Sequence, residues 1–391
     1  MNTQNVAVVG VGMTRFGKHQ DTSLKTLGGE AIQIALADAG LESGDINAAF
    51  VANAMAGITT GQVSIVGQTI LEANGFHSLP VFNIDNACAG SSSALHLAIQ
   101  YIRSGAADTV LVLGAEKLIC ADRTKAYLAL NGAADIDFVA ASGIDTSKAS
   151  VFVSAVYPGR LNAYHEKYGL DKHTLAQIAV KNRSHAAHNP LAQFTALLTV
   201  DDVLNSRQIV GPITALMCAP IGDGASAVIV TRESLVQKNQ RPVWIRGSSI
   251  MMASRSGTIS SIAQAAAKAY SEANITPASI HVAEVHDSIS FNELLAYEEL
   301  GLCEPGLGAS LVKEGATTLG GHIPVNPSGG LESRGHPVAA TGTAQIYELV
   351  SQLRGEAGPR QVKGAKVAVA ENAGGFTGTD TAAIAITVLE A

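Results

Sequence analysis

The chain is poor in charge and in aromatics. Across 391 residues only 15% are Asp, Glu, Lys or Arg and only 5% are Phe, Trp or Tyr, with a single tryptophan. The four cysteines, Cys88, Cys120, Cys218 and Cys303, are scattered and form no CxxC pair. That spacing excludes a zinc ribbon and a disulfide framework, and no metal is expected. There is no basic excess: the net charge is −7 with a pI near 5.9. A dedicated nucleic-acid binder would carry a basic stripe, so that class is excluded. No apolar run reaches transmembrane length. Met1 to Val11 lacks the basic stretch and apolar segment of a leader. These absences predict a soluble, cytoplasmic protein with reduced thiols and no membrane partner.

What the chain has is 47% hydrophobic residues and 39 glycines, enough for a large core with close backbone approaches. The reading repeats itself. An apolar strand at Val6–Val11 is matched by Val243–Gly247, which leads into a Ser- and Met-rich turn. A helical pattern at Ser23–Ala39 is matched by Ser260–Ala273, and strands at Ala48–Ala52 and Val282–Val285 follow each. Glycine-rich turns then open helices at Cys88 and at Gly335-His336-Pro337. Strands at Thr109–Leu113 and Lys366–Ala370 come next, and Gly224–Thr231 matches Thr381–Thr387. Alternating strand and helix patterns in both halves imply two α/β units. Only the first half is interrupted, by about a hundred residues that include the Tyr157–Tyr164 segment. Such an insertion predicts a lid over a substrate site or a dimer-contact arm. The expected division is an N-terminal half at 1–118 completed by about 207–235, an inserted domain at 119–206 and a C-terminal half at 236–391.

Four segments fall at strand ends or helix starts. Asn86-Ala87-Cys88-Ala89-Gly90-Ser91-Ser92-Ser93 follows an apolar strand at Pro80–Ile84 and precedes a helical pattern from about Ser93 to Arg103. Free N–H groups and the helix dipole there favour a thiolate and can receive an oxyanion. His336 opens a helix with Pro337 suited to its first position, and can take the Cys88 proton or pair with the thiolate. His286-Asp287-Ser288 follows a strand, and so does Asn372-Ala373-Gly374-Gly375, whose backbone can donate to an oxyanion. Lys181 and Arg183 read as a solvated helix face, and His165, His185 and His188 as surface or lid residues. Cys218 and Cys303 read as small apolar fillers.

Five segments together resemble the thiolase superfamily, and within it the sterol-carrier-protein-type and archaeal-type thiolases. They are Asn86–Ser91, Lys181–Pro190, Met217–Ser226, His286-Asp287 with Glu293–Leu302, and Asn326–Pro337. The resemblance implies a duplicated five-layered αβαβα fold with an inserted loop domain. It implies that Cys88 is acylated, that His336 is its activating base, and that His286 holds a thioester oxygen. It further implies a second oxyanion hole from the N–H groups of Cys88 and Gly374, and an acyl-CoA substrate. Asn372, Gly375 and Tyr157 are the expected substrate contacts. No cofactor is expected beyond the CoA thioester itself. A homodimer, and a small partner subunit with a zinc ribbon and an OB-fold, are expected by the same resemblance.

One position departs from the pattern. The subfamily carries a second cysteine two residues after the His; here that residue is Ser288, and the alternative C-terminal position is Asn372. A serine hydroxyl is a far poorer proton acceptor than a thiolate. The leading expectation is a thiolase-like acyltransferase that forms or cleaves a C–C bond through an acyl-Cys88. The alternatives are a retro-aldolase acting on a β-hydroxyacyl-CoA and a non-catalytic CoA-binding subunit.

Overall fold

A computed structural model describes residues 5–254 and 260–391. The first four residues of the Met1–Val11 segment, read above as free of a leader, lie outside that range. Among the described residues the strands are β1 Val6–Met13, β2 Ala48–Ala52, β3 Val81–Ile84, β4 Thr109–Glu116, β5 Gln208–Val210, β6 Ile213–Thr214, β7 Gly224–Arg232, β8 Val243–Met251, β9 Val282–Glu284, β10 Val367–Phe376 and β11 Thr381–Glu390. Nine of these form one sheet in the order β3-β2-β4-β7-β1-β8-β11-β10-β9, and β5 and β6 pair separately.

The repeat read in the sequence is a repeat of topology. β1 and β8 meet antiparallel at a central seam, where Val6 faces Ile245 and Val8 faces Val243. Outward from that seam run β7, β4, β2 and β3 on one side and β11, β10 and β9 on the other. Val325 bridges Ala283 in parallel and takes the place that β3 holds in the first half. β8 continues to Met251, so the Ser- and Met-rich stretch after Gly247 is strand and not the expected turn. Inter-strand hydrogen bonds with β11 satisfy its backbone along that length.

β1, β4 and most of β11 are buried on both faces, which explains their continuous Val, Ile, Leu and Ala runs. Helices Gly90–Arg103 and Thr341–Arg354 lie in one central core with residues from both half-sheets. Helices Leu24–Ala39 and Val66–Ala73 cover the outer face of the first half-sheet. Helices Ser261–Ala273 and Ser290–Glu299 cover that of the second. The result is the αβαβα layering. Helix Leu24–Ala39 is started by Ser23, whose hydroxyl accepts from the Thr26 N–H, and ended by Gly40 at φ 65°. The helices press closely on their strands. A Cβ at Gly12 would lie 2.2 Å from the Ala31 carbonyl oxygen, and one at Gly247 would lie 2.2 Å from that of Ala269.

The segment between β4 and β7 builds its own small core from Leu161, Tyr164, Leu175, Ile178, Val203 and Met217. It is anchored on Ile289, Phe291 and Leu294 of the second half. This docking brings Tyr157, at the start of helix Tyr157–Tyr168, beside the loop that carries His286 and Ser288.

Candidate active site

Cys88 sits in a tight turn, Ala87–Ala89, between β3 and helix Gly90–Arg103. Ala87 is held at φ 49°, a conformation that non-glycine residues avoid at a cost of roughly 1–2 kcal/mol. The turn is braced by Asn86, which donates to Ser93 Oγ at 2.9 Å, while Ser93 Oγ donates to the Ala89 carbonyl at 2.8 Å. β10 presses against it. A Cβ at Gly374 would lie 2.4 Å from both the Ala89 nitrogen and the Asn86 oxygen, so only glycine fits.

His336 follows Gly335, whose φ of 112° likewise demands glycine. Pro337 precedes a short turn, Val338–Ala340, and the α-helix begins only at Thr341, five residues later than His336. The expected helix start at Pro337 is thus displaced. His336 Nδ1 lies 2.7 Å from Thr341 Oγ1. His286 is the second residue after β9. Its backbone N–H donates to Glu371 Oε2 at 2.8 Å, and its Nδ1 lies 2.9 Å from Asn372 Oδ1. Asn372 Nδ2 donates in turn to the Cys88 carbonyl and to Ser92 Oγ, both at 3.0 Å. The two imidazoles meet edge to face with centroids 5.2 Å apart. The Cys88 sulfur and a nitrogen of each ring lie within 4.8 Å of one another.

These groups line a cavity of about 560 Å³ together with Tyr157, Ser288, Gly375 and Phe376. Asn372 was expected to touch substrate. It is 1% exposed and spends its amide on Cys88, Ser92 and His286, so it braces the reactive groups instead. Gly374 and Gly375 both line the cavity beside Cys88, and the backbone N–H groups of Cys88 and Gly375 act to lower the Cys88 thiol. Ser288 Oγ accepts from Asn292 Nδ2 at 2.7 Å and donates to the Tyr157 hydroxyl at 2.8 Å.

The electrostatics overturn one expectation. The turn and helix dipole were read as favouring a thiolate. Removal from bulk water, with the Glu116 carboxylate second, instead pushes the Cys88 thiol up from 9.0 to about 12. Burial also lowers His286 to about 4, against a smaller raising effect of its bond to Asn372. Burial, then His286 and Arg334, hold His336 well below the usual imidazole range. The resting site is a neutral thiol between two neutral imidazoles, not an ion pair. Burial raises the Tyr157 phenol as well, so it stays protonated.

Several participants escaped sequence reading. Glu116 ends β4 fully buried and accepts from Asn53 Nδ2 and from the N–H groups of Ala54, Met55 and Ala339. It ties the loop after β2 and the turn that follows His336 to one strand end. An acid closing an apolar strand is its only sequence signal. Lys181 is buried against Glu293 and donates to the Val325 carbonyl at 2.8 Å, and Arg183 Nε donates to Ser333 Oγ at 3.1 Å. Neither belongs to a solvated face. His185 is also buried, held by the Asn326 carbonyl and the Leu319 N–H. These residues join Asn182, Asp287, Glu332, Glu284 and Arg334 in a buried network that clamps the 326–337 segment carrying His336. Cys218 lines the cavity, whereas Cys303 packs as an apolar filler and Cys120 does not line the cavity.

Residues 6–234 match the model of the thiolase N-terminal domain, and residues 246–387 match the thiolase C-terminal domain-like model. The chain is 37% identical to acetyl-CoA acetyltransferase of Methanothermobacter thermautotrophicus, over 96% of this chain and 98% of that one. It is 39% identical to human sterol carrier protein 2, over 95% of this chain and 70% of that protein. The solved Ltp2-ChsH2(DUF35) aldolase shares the fold at TM-score 0.78 and 23% identity, covering 99% of this chain and 98% of that one.

Proposed function

The chain belongs to the thiolase family, and from that premise we propose that it is an acyl-CoA acyltransferase working through an acyl-Cys88 intermediate, which forms or cleaves a C–C bond. The observation that carries this reading is the cluster of Cys88, His286 and His336 within 4.8 Å at the wall of one cavity. Cys88 holds its proton at rest, so attack on a thioester needs a base at the moment of reaction. His336 is neutral, and its Nδ1 is committed to Thr341. It takes the Cys88 proton as the sulfur adds to the acyl carbon and gives it to the departing CoA sulfur. The N–H groups of Cys88 and Gly374 receive the developing oxyanion. Ser288 positions Tyr157 on the cavity wall. No cofactor beyond the CoA thioester takes part.

The presence of Cys88 with both imidazoles supports acyl transfer over a lyase that needs no acyl-cysteine. A homodimer and a small partner subunit belong to the same proposal. Ile58, Val63 and Ile65 are 45%, 80% and 55% exposed within eight residues, an apolar surface suited to a protein contact. Among the described residues no helix is long and apolar enough to cross a membrane.

The test is intact-protein mass after incubation with a panel of acyl-CoAs, with Cys88→Ala as control. A gain of one acyl mass on the wild type alone supports the reading. No adduct with any donor refutes it and turns attention to the retro-aldolase.

A further inference from the structure

The cavity holds two histidines where one suffices to deprotonate Cys88, and hydrogen bonding decides which atom each ring offers. The Cys88 carbonyl can only accept, so the Asn372 amide that meets it must present Nδ2 there. Asn372 Oδ1 therefore faces His286, and the His286 Nδ1 beside it must carry the ring proton. The neutral ring is left with its lone pair on Nε2. The same logic applies to His336. With the Thr341 hydroxyl directed at the Pro337 carbonyl 3.4 Å away, its oxygen is the acceptor for a proton on His336 Nδ1 at 2.7 Å. An oxyanion donor at His286 would need a proton on Nε2, which this tautomer lacks.

Resting on the acyl-Cys88 reading, we propose that His286 is the catalytic base of the C–C bond-making step, replacing the missing second cysteine, with Asn372 as its positioning residue. Of the other groups on the cavity wall, Cys218 keeps its proton because burial pushes its thiol up to about 12, and Ser288, Tyr157 and Glu371 are otherwise engaged. The Ser288 hydroxyl is committed to Tyr157 and Asn292, and the Tyr157 phenol keeps its proton. Glu371, adjacent to Asn372 on β10, holds the His286 backbone N–H.

The step balances. With Cys88 acylated, His286 Nε2 takes a proton from C2 of the acceptor thioester, and the C–H electron pair becomes the enolate. C2 attacks the acyl carbon, the new C–C bond forms, and the carbon–sulfur bond to Cys88 breaks with its pair on sulfur. The proton on His286 then passes to the Cys88 thiolate, which restores both groups. Read backwards, the Cys88 proton reaches His286 and then C2 of the leaving enolate. His336 handles the proton of the CoA step. Two imidazoles thus serve two half-reactions.

The experiment reads each half-reaction separately on the full chain. Exchange of labelled CoA into an acyl-CoA reports the Cys88–His336 step. Uptake of deuterium at C2 of acetyl-CoA in D₂O reports the His286 step. His286→Gln is expected to lose C2 exchange by about 10²-fold or more, with CoA exchange falling less than about tenfold. His336→Gln is expected to show the opposite split. Asn372→Asp, which keeps an acceptor for Nδ1, is expected to retain C2 exchange where Asn372→Leu loses it. The inference is overturned if wild-type enzyme acylates Cys88 yet takes up no deuterium at C2, an arm that needs no variant. It is also overturned if His286→Gln keeps C2 exchange within about threefold or loses both exchanges by one factor. Absence of any Cys88 adduct in the wild type instead refutes the acyl-transfer reading beneath it.

Discussion

Cys88 should react with small disulfides as a neutral, half-buried thiol, and the pH dependence of that reaction tests the charge state of the site. Its thiol lies at about 12 against 9.0 for an unperturbed one. At pH 8 the thiolate fraction therefore falls from about one in ten to about one in 10⁴. The more basic thiolate is intrinsically more nucleophilic, which recovers roughly twentyfold and leaves a net deficit of roughly fiftyfold. The logarithm of the rate at Cys88, resolved by peptide mass spectrometry, should rise with unit slope from pH 8 to pH 9.5 without a plateau. Glu116 is the second cause of the shift, and burial raises its own carboxyl to about 7. Glu116→Gln should therefore speed the reaction above pH 7, where the wild-type carboxylate is charged. Below pH 6, where it is neutral, the variant should change little. A flat rate through the neutral range, with an apparent pKa below 8, would mean a thiolate–imidazolium pair at rest and would refute the reasoning.

Other perturbations follow from the same contacts. Gly374→Ala places a methyl 2.4 Å from two backbone atoms of the Cys88 turn; this should cost about 1–3 kcal/mol on thermal melting and lower acyl-Cys88 formation by about 10²-fold, as the backbone N–H groups at that turn lose their aim. Ser288→Ala leaves Tyr157 and Asn292 without their shared partner, so melting should show a loss of about 1–3 kcal/mol, while C2 exchange stays within tenfold because Ser288 is not the base. Arg334→Met strands the Glu284 carboxylate in a fully buried site; chemical denaturation should report a loss of about 3–5 kcal/mol. Burial also raises Glu371 to about 8. A carboxyl whose folded pKa lies above its unfolded value near 4.5 loses stability as pH rises between the two. Glu371→Gln should therefore melt higher relative to wild type at pH 8 than at pH 5.

The duplicated α/β architecture was legible because both halves repeat strand and helix periods in one order, and period alone decides such elements. The turn around Cys88 was legible for a local reason: a strand, small residues and a helix must expose what lies between them. Tautomers and ionisation states were not. The His286 lone pair depends on Asn372, which is 86 residues away, and Asn372 is oriented by a carbonyl 284 residues away. Burial, which outweighs the helix dipole at Cys88, exists only once the insertion closes over the second half. Lys181, Arg183 and His185 looked solvated because a helix face reads as polar whether it meets water or a buried network of opposite charge. By itself the sequence determined the elements, their duplication and the turn that presents Cys88, since those follow from local pattern. Tertiary structure alone decided which groups carry protons, because that depends on desolvation and hydrogen-bond direction between distant segments.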